Sequence, residues 1–373
     1  MNVHRNKSLN NSRRKGEDPS KYIGAKLDDF KGDIYSLCKD QHGCRFLQKQ
    51  LDLDDELKTT LIFNETYLNV VELMVDPFGN YLIQKLLEKA NEEQRIVLVK
   101  IASSHFYEIA LDSHGTRALQ KLVECVATEE EAKIIVESLS PNIVSLSRDL
   151  NGNHVVQKCL SKLSASDNQF IFDIICENCN LIATHRHGCC VLQRCLDFGT
   201  LEQCKALCSK INENVLTLAV DPFGNYVVQY ILNREELIES DNKELDELIS
   251  KILNVINENI IELSLHKFGS NVIEKVLRLS NFSEKLIDNL ISTHQDDIVK
   301  LLNDSYGNYV LQTSLDVAQF DQFNRLKNIL VPLMVDVKNT PHGRRISTRL
   351  GINNNTSNNN SNNFPRNAYS IVN

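Results

Sequence analysis

A nine-residue phrase occurs twice in this chain, and this repetition limits the folds available to the chain more than any other feature of its sequence. Residues 76–84 read DPFGNYLIQ and residues 221–229 read DPFGNYVVQ. A looser version occurs eight times: a Gly, a polar or small residue, a residue able to stack, two apolar residues, then Gln or Glu. The copies begin at Gly43, Gly79, Gly115, Gly152, Gly188, Gly224, Gly269 and Gly307.

The spacing of these copies is nearly constant. Successive glycines lie 36, 36, 37, 36, 36, 45 and 38 residues apart, and a degenerate ninth copy begins another 36 residues on, at Gly343. A period of this length is typical of solenoids built from stacked helical units. We therefore predict an all-α array of eight repeats with a capping unit at each end, formed by residues 22–30 and 341–350.

The helix of each repeat has three distinct rows of side chains. Asp221 and Pro222 make a good helix start, because the Asp carboxylate accepts unpaired N–H groups and Pro lacks a donor that would have no partner there. At about 100° per residue, Asn225 and Gln229 share one row, Tyr226 lies in the next, and apolar residues lie opposite. Stacked repeats would present polar pairs to the edge of a base and flat side chains to its faces. The pattern predicts binding of single-stranded nucleic acid, one base per repeat.

Each repeat supplies two predicted base-edge residues, four positions apart, and one predicted stacking residue between them. From repeat one to repeat eight, the base-edge pairs are Cys44 and Gln48, Asn80 and Gln84, Thr116 and Gln120, Asn153 and Gln157, Cys189 and Gln193, Asn225 and Gln229, Ser270 and Glu274, and Asn308 and Gln312. In the same order, the stacking residues are Arg45, Tyr81, Arg117, His154, Cys190, Tyr226, Asn271 and Tyr309. Cys190 and Asn271 are not flat, so weaker stacking is expected there.

These motifs resemble the RNA-binding domain of the Pumilio (PUF) family, in particular its cytoplasmic fungal members. The resemblance runs from about Ser20 to Leu350 and rests on the eight motifs in order, together with residues 38–48 (CKDQHGCRFLQ) of the first repeat. It implies a right-handed, crescent-shaped α-solenoid of eight three-helix repeats with terminal capping units, occupying residues 21–350. The RNA would lie on its concave surface.

The resemblance also implies a function without catalysis. The chain is expected to bind elements in mRNA 3′ untranslated regions as a monomer and to regulate the stability and translation of those mRNAs. A deadenylase complex or other repressor proteins would bind the convex face. No cofactor and no metal are implied.

Hydrogen-bonding chemistry gives part of a base code. Two amides can donate to and accept from the pairing edge of uracil, whereas ionised Glu274 only accepts, which suits guanine, with Ser270 completing that pair. The resemblance implies that Cys or Ser beside Gln selects adenine and that the RNA runs antiparallel to the chain. Repeats eight to one then read 5′-UGUAUAUA-3′. Thr116 is not a standard partner for adenine, and one expelled base would lengthen the site to nine nucleotides.

The net charge of −8 is unusual for a nucleic-acid binder, which is normally basic. Residues 1–20 carry +3 and residues 351–373, which are Asn-rich, carry +1; both segments are expected to be disordered. Residues 234–248 hold seven acidic and two basic residues and are expected to form a solvated extension away from the RNA, with partner docking an alternative. One basic and one acidic surface are predicted, because Arg45 and Arg117 lie in the stacking row, acidic residues cluster in the linking and outer helices, and in six repeats a cation follows the second base-edge residue. These cations are Lys49, Lys85, Lys121, Lys158, Arg194 and Lys275.

Two clusters of Cys and His residues, and the repeat pattern itself, also allow other interpretations. Cys176, Cys179, His185 and His187 have the residue types of a zinc site, and Cys189 and Cys190 beside His187 suggest a nucleophile, but the period of the repeat accounts for all of them. The main rival is a protein-binding solenoid of the armadillo or HEAT type, which does not need alternating base-edge and stacking residues.

The location of the protein is expected to be cytoplasmic. No apolar run approaches the roughly 18 residues that a membrane span needs, and the N-terminal residues are polar. Eleven scattered cysteines, an odd number, indicate reduced thiols rather than a disulfide framework.

Overall fold

The computed structural model describes residues 19–233 and 243–352, and the regular structure in these ranges is helical, as the repeat period predicts. Each repeat has three helices. The first helices are Ile34–Cys38, Val70–Val75, Phe106–Leu111, Ile143–Arg148, Cys179–Ala183, Val215–Ala219, Ile260–Ser264 and Gln295–Asn303. The second helices, which carry the predicted site residues, are Gln41–Leu51, Gly79–Lys89, Gly115–Glu124, Gly152–Lys162, Gly188–Phe198, Gly224–Asn233, Gly269–Leu277 and Gly307–Val317. The third helices are Glu56–Thr66, Glu92–Ser103, Glu129–Leu139, Gln169–Glu177, Leu201–Glu213, Lys243–Glu258, Ser280–Ser292 and Phe320–Val337.

Five further elements complete the described chain. A final helix, Pro341–Arg349, follows repeat eight. Short 3₁₀ helices lie at Pro19–Tyr22, Leu27–Phe30, Tyr67–Asn69 and Ser140–Asn142. Among these helices, none in the described ranges combines the length and apolar character that crossing a bilayer requires.

The chain divides into two compact units, Met1–Val255 and Ile256–Asn373. The first unit holds repeats one to five and the first two helices of repeat six, and the second holds repeats seven and eight with the final helix. Within each unit, the second helix of one repeat packs on the second helix of the next, and third helices pack side by side. This stacking of like on like is the packing of an α-solenoid.

The start of each second helix is fixed by its Asp. In six repeats the Oδ1 atom of the Asp accepts the N–H groups two and three residues further on, at 2.7–2.9 Å, as predicted from the sequence. The Gly that follows lets the helix start against the first helix. A Cβ atom on Gly188 would lie 2.1 Å from the carbonyl oxygen of Ile182, so no larger residue fits without displacing backbone.

The apolar row of each second helix forms the core. In repeat six, Val227, Val228, Ile231 and Leu232 are all fully buried, on the side opposite Tyr226. This burial fixes which face of the helix remains outside, because a rotation of the helix would expose the aliphatic row.

The predicted N-terminal cap is confirmed as a small aromatic cluster. The ring of Tyr22 lies 5.6 Å from that of Phe30 and 5.3 Å from that of Phe46, and Phe30 and Phe46 are also 5.3 Å apart. Leu27 is buried beside them. The cluster covers the end of the core in repeat one.

Part of the predicted acidic extension is wrong. Residues 243–248 form the start of the helix Lys243–Glu258 and not a solvated extension: Leu245 is buried and begins an apolar stripe continued by Ile249 and Ile252. Glu244 also pairs with Lys205 at 2.6 Å. The many charged residues of this stretch made the helical spacing of its few apolar residues hard to recognise in the sequence. Residues 234–242 lie outside the described residues.

The predicted terminal segments overlap the described chain by a few residues only. Residues 19–20 belong to the helix Pro19–Tyr22, so the predicted disorder is wrong for these two residues. Residues 351–352 directly follow the final helix. The rest of both predicted segments, 1–18 and 353–373, lies outside the described residues.

Candidate nucleic-acid interface

The predicted site residues lie on the second helices and show the same order of exposure in each repeat. The eight stacking residues are all exposed, with Tyr81 46%, Tyr226 56% and Tyr309 41% accessible. The first base-edge residues are all buried, and the second are half-buried in seven repeats. Gln312 is the exception, at 5% exposure. Repeats one to seven therefore each present one exposed side chain beside one partly accessible Gln or Glu.

The first base-edge residue of each pair is more buried than the second. Asn225 is 1% exposed: its Nδ2 donates to the carbonyl oxygens of Asp221 (2.8 Å) and Pro222 (3.0 Å). Its Oδ1 accepts the Nε2 of Gln229 at 2.9 Å. The helical wheel placed Asn225 beside Gln229 but could not show that the carbonyls of the preceding turn point at it.

The same bonds recur in repeats two, four and eight and orient the Gln of each. A Gln amide has two N–H donors and a carbonyl acceptor, so one N–H bound to Asn leaves one donor and the acceptor. In Gln229 these two groups lie side by side at the partly exposed end of the side chain. They match a neighbouring acceptor and donor on the edge of uracil.

In repeats one and three a Cys or a Thr takes the place of the Asn and orients the Gln four residues further on. The Oγ1 of Thr116 accepts the Nε2 of Gln120 at 3.1 Å and donates to the carbonyl of Asn151 at 3.0 Å. The Sγ of Cys44 accepts from Gln48 in the same way, at 3.2 Å. Thr116 therefore orients Gln120 as Cys44 orients Gln48. The Thr side chain is shorter than that of Asn, so it reaches less of the edge of a bound base.

Repeat seven presents a carboxylate where the other repeats have an amide. The Oε2 of Glu274 accepts the hydroxyl of Thr313 at 2.9 Å, and the Oγ of Ser270 donates to the carbonyl of Lys267 at 3.2 Å. Thr313 is buried and its Oγ1 lies 3.5 Å from the guanidinium of Arg278. Thr313 therefore holds the plane of the Glu274 carboxylate. Sequence reasoning missed this residue; the signal was the absence of a cation directly after Gln312.

A surface groove of about 430 Å³ lies between the second helices of repeats five and six. Both base-edge residues of repeat five, Cys189 and Gln193, line it, with Cys190 on one side and Tyr226 on the other. We call the space between the stacking residues of two successive repeats a slot. Gln229, a base-edge residue of repeat six, also lines the groove, so site residues of both repeats share it.

Four of the eight cations of the predicted basic surface are paired with carboxylates. Lys85, Lys121, Lys158 and Arg194 each contact a carboxylate. The pairs along repeats one to five are Asp52–Lys85 (2.6 Å), Lys85–Glu88 (3.5 Å), Glu88–Lys121 (2.8 Å), Lys121–Glu124 (3.4 Å), Glu124–Lys158 (3.6 Å) and Arg194–Asp197 (2.7 Å). Hydrogen bonds that the ammonium groups donate to Asp52 and Glu88 raise the pKa of Lys85 and of Lys121. These four cations are thus matched by four carboxylates, Asp52, Glu88, Glu124 and Asp197.

Repeats five and seven start their second helices with His instead of Asp. The Nδ1 of His185 accepts the N–H of His187 at 3.3 Å, and the Nδ1 of His266 accepts that of Phe268 at 3.2 Å. Burial, with Arg148 and His187 nearby, lowers the pKa of His185 below its ordinary value. Protonation would convert this acceptor into a donor and remove the cap.

A loss of stability in acid is expected from His185. Because its folded pKa is lowered, the stabilisation is complete above the unfolded pKa of about 6.5 and is lost as the pH falls through the folded value. His185→Asp should remove this dependence and raise stability by roughly 0.5–2 kcal/mol at pH 6. Chemical denaturation at pH 5.5 and 7.5 measures both. Equal pH dependence in wild type and variant would contradict the assignment.

The alternative metal and nucleophile readings gain no support from the geometry. Burial raises the pKa of Cys179 and that of Cys189 to about 12, so both thiols are protonated at neutral pH. No three His, Cys, Asp or Glu side chains in the described part of the chain are arranged to hold a metal ion. All eleven cysteines are free thiols.

Comparison with known proteins agrees with the repeat pattern. The Pumilio-family RNA binding repeat matches residues 33–65, 69–101, 105–140, 142–176, 178–211, 214–236, 259–291 and 297–330. The chain is 54% identical over 338 residues to Pumilio homology domain family member 4 of Saccharomyces cerevisiae, covering 89% of this chain and 38% of that protein. It is 44% identical over 320 residues to a Pumilio domain-containing protein of Schizosaccharomyces pombe, covering 85% and 45%. The chain thus spans less than half the length of these relatives.

Two solved structures resemble the fold. The Puf4 RNA binding domain bound to the HO endonuclease RNA 3′ UTR recognition sequence has a TM-score of 0.80 and 56% identity, covering 85% of this chain and 98% of that one. The RNA-binding domain of yeast Puf5p bound to SMX2 RNA has a TM-score of 0.75 and 33% identity, covering 88% and 98%.

Proposed function

The chain belongs to the Pumilio family of RNA-binding repeat proteins, and from this premise we propose that its second helices read an element close to 5′-UGUAUAUA-3′ in mRNA 3′ untranslated regions. Two structurally similar domains, of Puf4 and Puf5p, were solved with RNA bound, in the first case a 3′ UTR recognition sequence. The observation that carries the proposal is the recurring pair of an exposed stacking residue and a half-buried, oriented Gln or Glu.

The base assignments follow the side chains of each repeat. Repeats two, four, six and eight, with Asn and Gln, take uracil, and repeat seven, with Glu274, takes guanine. Repeats one, three and five, in which Cys44, Thr116 and Cys189 are smaller than Asn, take adenine. The RNA runs antiparallel to the chain, so repeat eight takes the 5′ base. A selection from randomised RNA decides between eight nucleotides and nine.

The consequence of binding is regulation of the bound mRNA. We infer that residues 21–350 act as one RNA-binding domain in the cytoplasm, as a monomer, and that deadenylase or other repressor proteins bind its outer face. Altered decay of a reporter mRNA carrying the element would support this inference. Unchanged decay and translation with full RNA binding would contradict it and leave RNA recognition intact.

The proposal is tested by selecting bound sequences from a random RNA pool. Enrichment of a UGUA-containing element supports it, and equal binding of all sequences contradicts it. The rival reading, a protein-binding solenoid, predicts no preference for an RNA over a DNA of the same sequence. Filter binding with both molecules separates the two readings.

Replacing Tyr226 by Ala should weaken RNA binding. Tyr226 is 56% exposed and lines the groove of repeat five, so it can stack on a base there. A stacked base contributes roughly 1–3 kcal/mol, which corresponds to a loss of roughly 5- to 150-fold in affinity. Fluorescence anisotropy with the selected RNA measures it. The matched control is Phe320→Ala, an exposed aromatic on a third helix, which should leave affinity unchanged; equal losses for both variants would refute a stacking role.

A further inference from the structure

We call each stacking side chain that bounds a slot a wall. The eight repeats supply eight walls, and a slot at repeat eight needs one more beyond Tyr309. The groove between repeats five and six is lined by the stacking residues of both repeats, Cys190 and Tyr226. Repeat eight has Tyr309 as its own wall but is followed by the degenerate copy of the motif. That copy is therefore where a ninth wall would lie.

The final helix, Pro341–Arg349, has an Arg where a stacking residue would lie. Arg345 follows Tyr309 by 36 residues, the same step as that from Gly307 to Gly343. Arg345 is exposed, and its Nη1 lies 3.3 Å from the hydroxyl of Tyr309. The next residue, Ile346, is fully buried and anchors the helix on repeat eight. A planar guanidinium can stack on a base as an aromatic ring does.

A second Arg of this helix contacts the base-edge residue of repeat eight. Arg349 forms a double contact with Asp316, at 2.7 and 3.0 Å. Its Nη1 also donates to the Oε1 of Gln312 at 2.9 Å, while the Nε2 of Gln312 donates to Asn308 at 2.7 Å. Both ends of the Gln312 amide are therefore held, and Gln312 is 5% exposed where its counterparts are half-buried.

We propose that the final helix is part of the RNA-binding site and completes the slot of repeat eight. Arg345 is the ninth wall and stacks on the 5′ base of the element, on the side opposite Tyr309. Arg349 is a positioning residue that fixes the amide of Gln312, which leaves one N–H and one lone pair to read uracil. The inference rests on the proposed function and extends it to a unit whose motif has lost its base-edge residues.

The wall is tested with three substitutions of Arg345 and two RNAs. The RNAs are the octamer UGUAUAUA and the same octamer with an abasic 5′ nucleotide, and the measurement is anisotropy. Arg345→Ala should weaken binding of the intact octamer roughly 5- to 150-fold and that of the abasic octamer little. Arg345→Tyr, which is flat, should retain binding, and Arg345→Lys, which keeps only the charge, should lose it.

Arg344→Ala is the matched control, because Arg344 is exposed on the same helix and contacts the backbone of Asn339. It should bind both RNAs as wild type does. Equal losses on the intact and abasic octamers for Arg345→Ala, or no loss on either, would overturn the proposal. If the wild type bound neither RNA, the proposed function itself would fail, which is a distinct result.

The positioning role of Arg349 is tested by selectivity rather than by affinity. Arg349→Ala should reduce the preference for uracil at the first base and leave the preference at the second base unchanged. Arg349→Lys keeps the charge opposite Asp316. Thermal unfolding of both variants separates a loss of stability from a loss of base selectivity. Uniform loss of preference at all positions, or unchanged preference at the first, would contradict the role.

Discussion

Replacing Ser270 by Asn and Glu274 by Gln in one chain is expected to change the base preferred at the second position of the RNA from guanine to uracil. Glu274 can only accept hydrogen bonds when ionised, which matches the N1–H and the amine of guanine and opposes the carbonyl oxygens of uracil. Hydrogen bonds to charged groups contribute about 1.5–3 kcal/mol, so the preference should move by roughly 10- to 150-fold.

The backbone of repeat seven can already accept the new side chain. The hydroxyl of Ser270 donates to the carbonyl of Lys267, in the place where the Asn225 amide donates to the carbonyl of Pro222. An Asn at 270 should therefore be held as Asn225 is and should orient a Gln at 274.

Selection from randomised RNA with wild type and variant measures this change. The reciprocal variant, Asn225→Ser with Gln229→Glu, should move the third base from uracil to guanine and leave the second base unchanged. Unchanged selection at the second position would refute the assignment of repeat seven.

Glu131→Ala is expected to destabilise the first unit by about 3–5 kcal/mol, because it leaves Arg95, whose side chain is only 11% exposed, without its partner. Glu131 is fully buried, and its carboxylate accepts Nε and Nη2 of Arg95 at 2.5 and 3.2 Å. It also accepts the N–H groups of Ala127 and Thr128, at 2.9 and 3.0 Å. These bonds join the third helices of repeats two and three.

The neighbouring Glu130 provides a matched control. It pairs with Lys100 at 2.6 Å between the same two helices, but both side chains are more than half exposed. Surface pairs of this kind contribute at most about 1 kcal/mol, so Glu130→Ala should change stability little. Urea denaturation followed by circular dichroism measures both variants. Similar small losses would show that the Arg95–Glu131 pair is not a key contact between the repeats.

The pH dependence of this pair has a definite sign. Burial raises the pKa of Glu131, but the hydrogen bonds from Arg95, Ala127 and Thr128 outweigh it, and the net shift is downward. The stabilisation is therefore complete above the ordinary carboxyl pKa of about 4.3 and is lost as the pH falls through the lower folded value. Glu131→Gln should lack this component of acid unfolding.

Much of this architecture is predictable because the same motif recurs in eight repeats, so a weak signal in one repeat is supported by the others. The spacing of the glycines located the second helices, and the capping role of Asp221 followed from its side chain alone. The phase of Val227 and Val228 gave the buried face, and with it the exposure of Tyr226. These features depend on residues close together in sequence.

What the sequence did not reveal depends on contacts between repeats. The pairing of Lys85 with Asp52, 33 residues away, offsets part of the charge of the expected basic surface. The hydrogen bonds that Thr313 donates to Glu274 and that Arg349 donates to Gln312 likewise join repeat seven to repeat eight and repeat eight to the final helix. Asn225 is buried because the backbone of its own preceding turn accepts its amide, and a helical wheel contains no information about that turn.

The central claim is that each repeat reads one base, in reverse order along the chain. The most direct measurement is selection from randomised RNA with Gln84→Ala and with Gln229→Ala, one variant at a time. Gln84→Ala should relax selectivity at the seventh base only, and Gln229→Ala at the third base only. Relaxation at other positions, or an equal loss at all eight, would contradict the account.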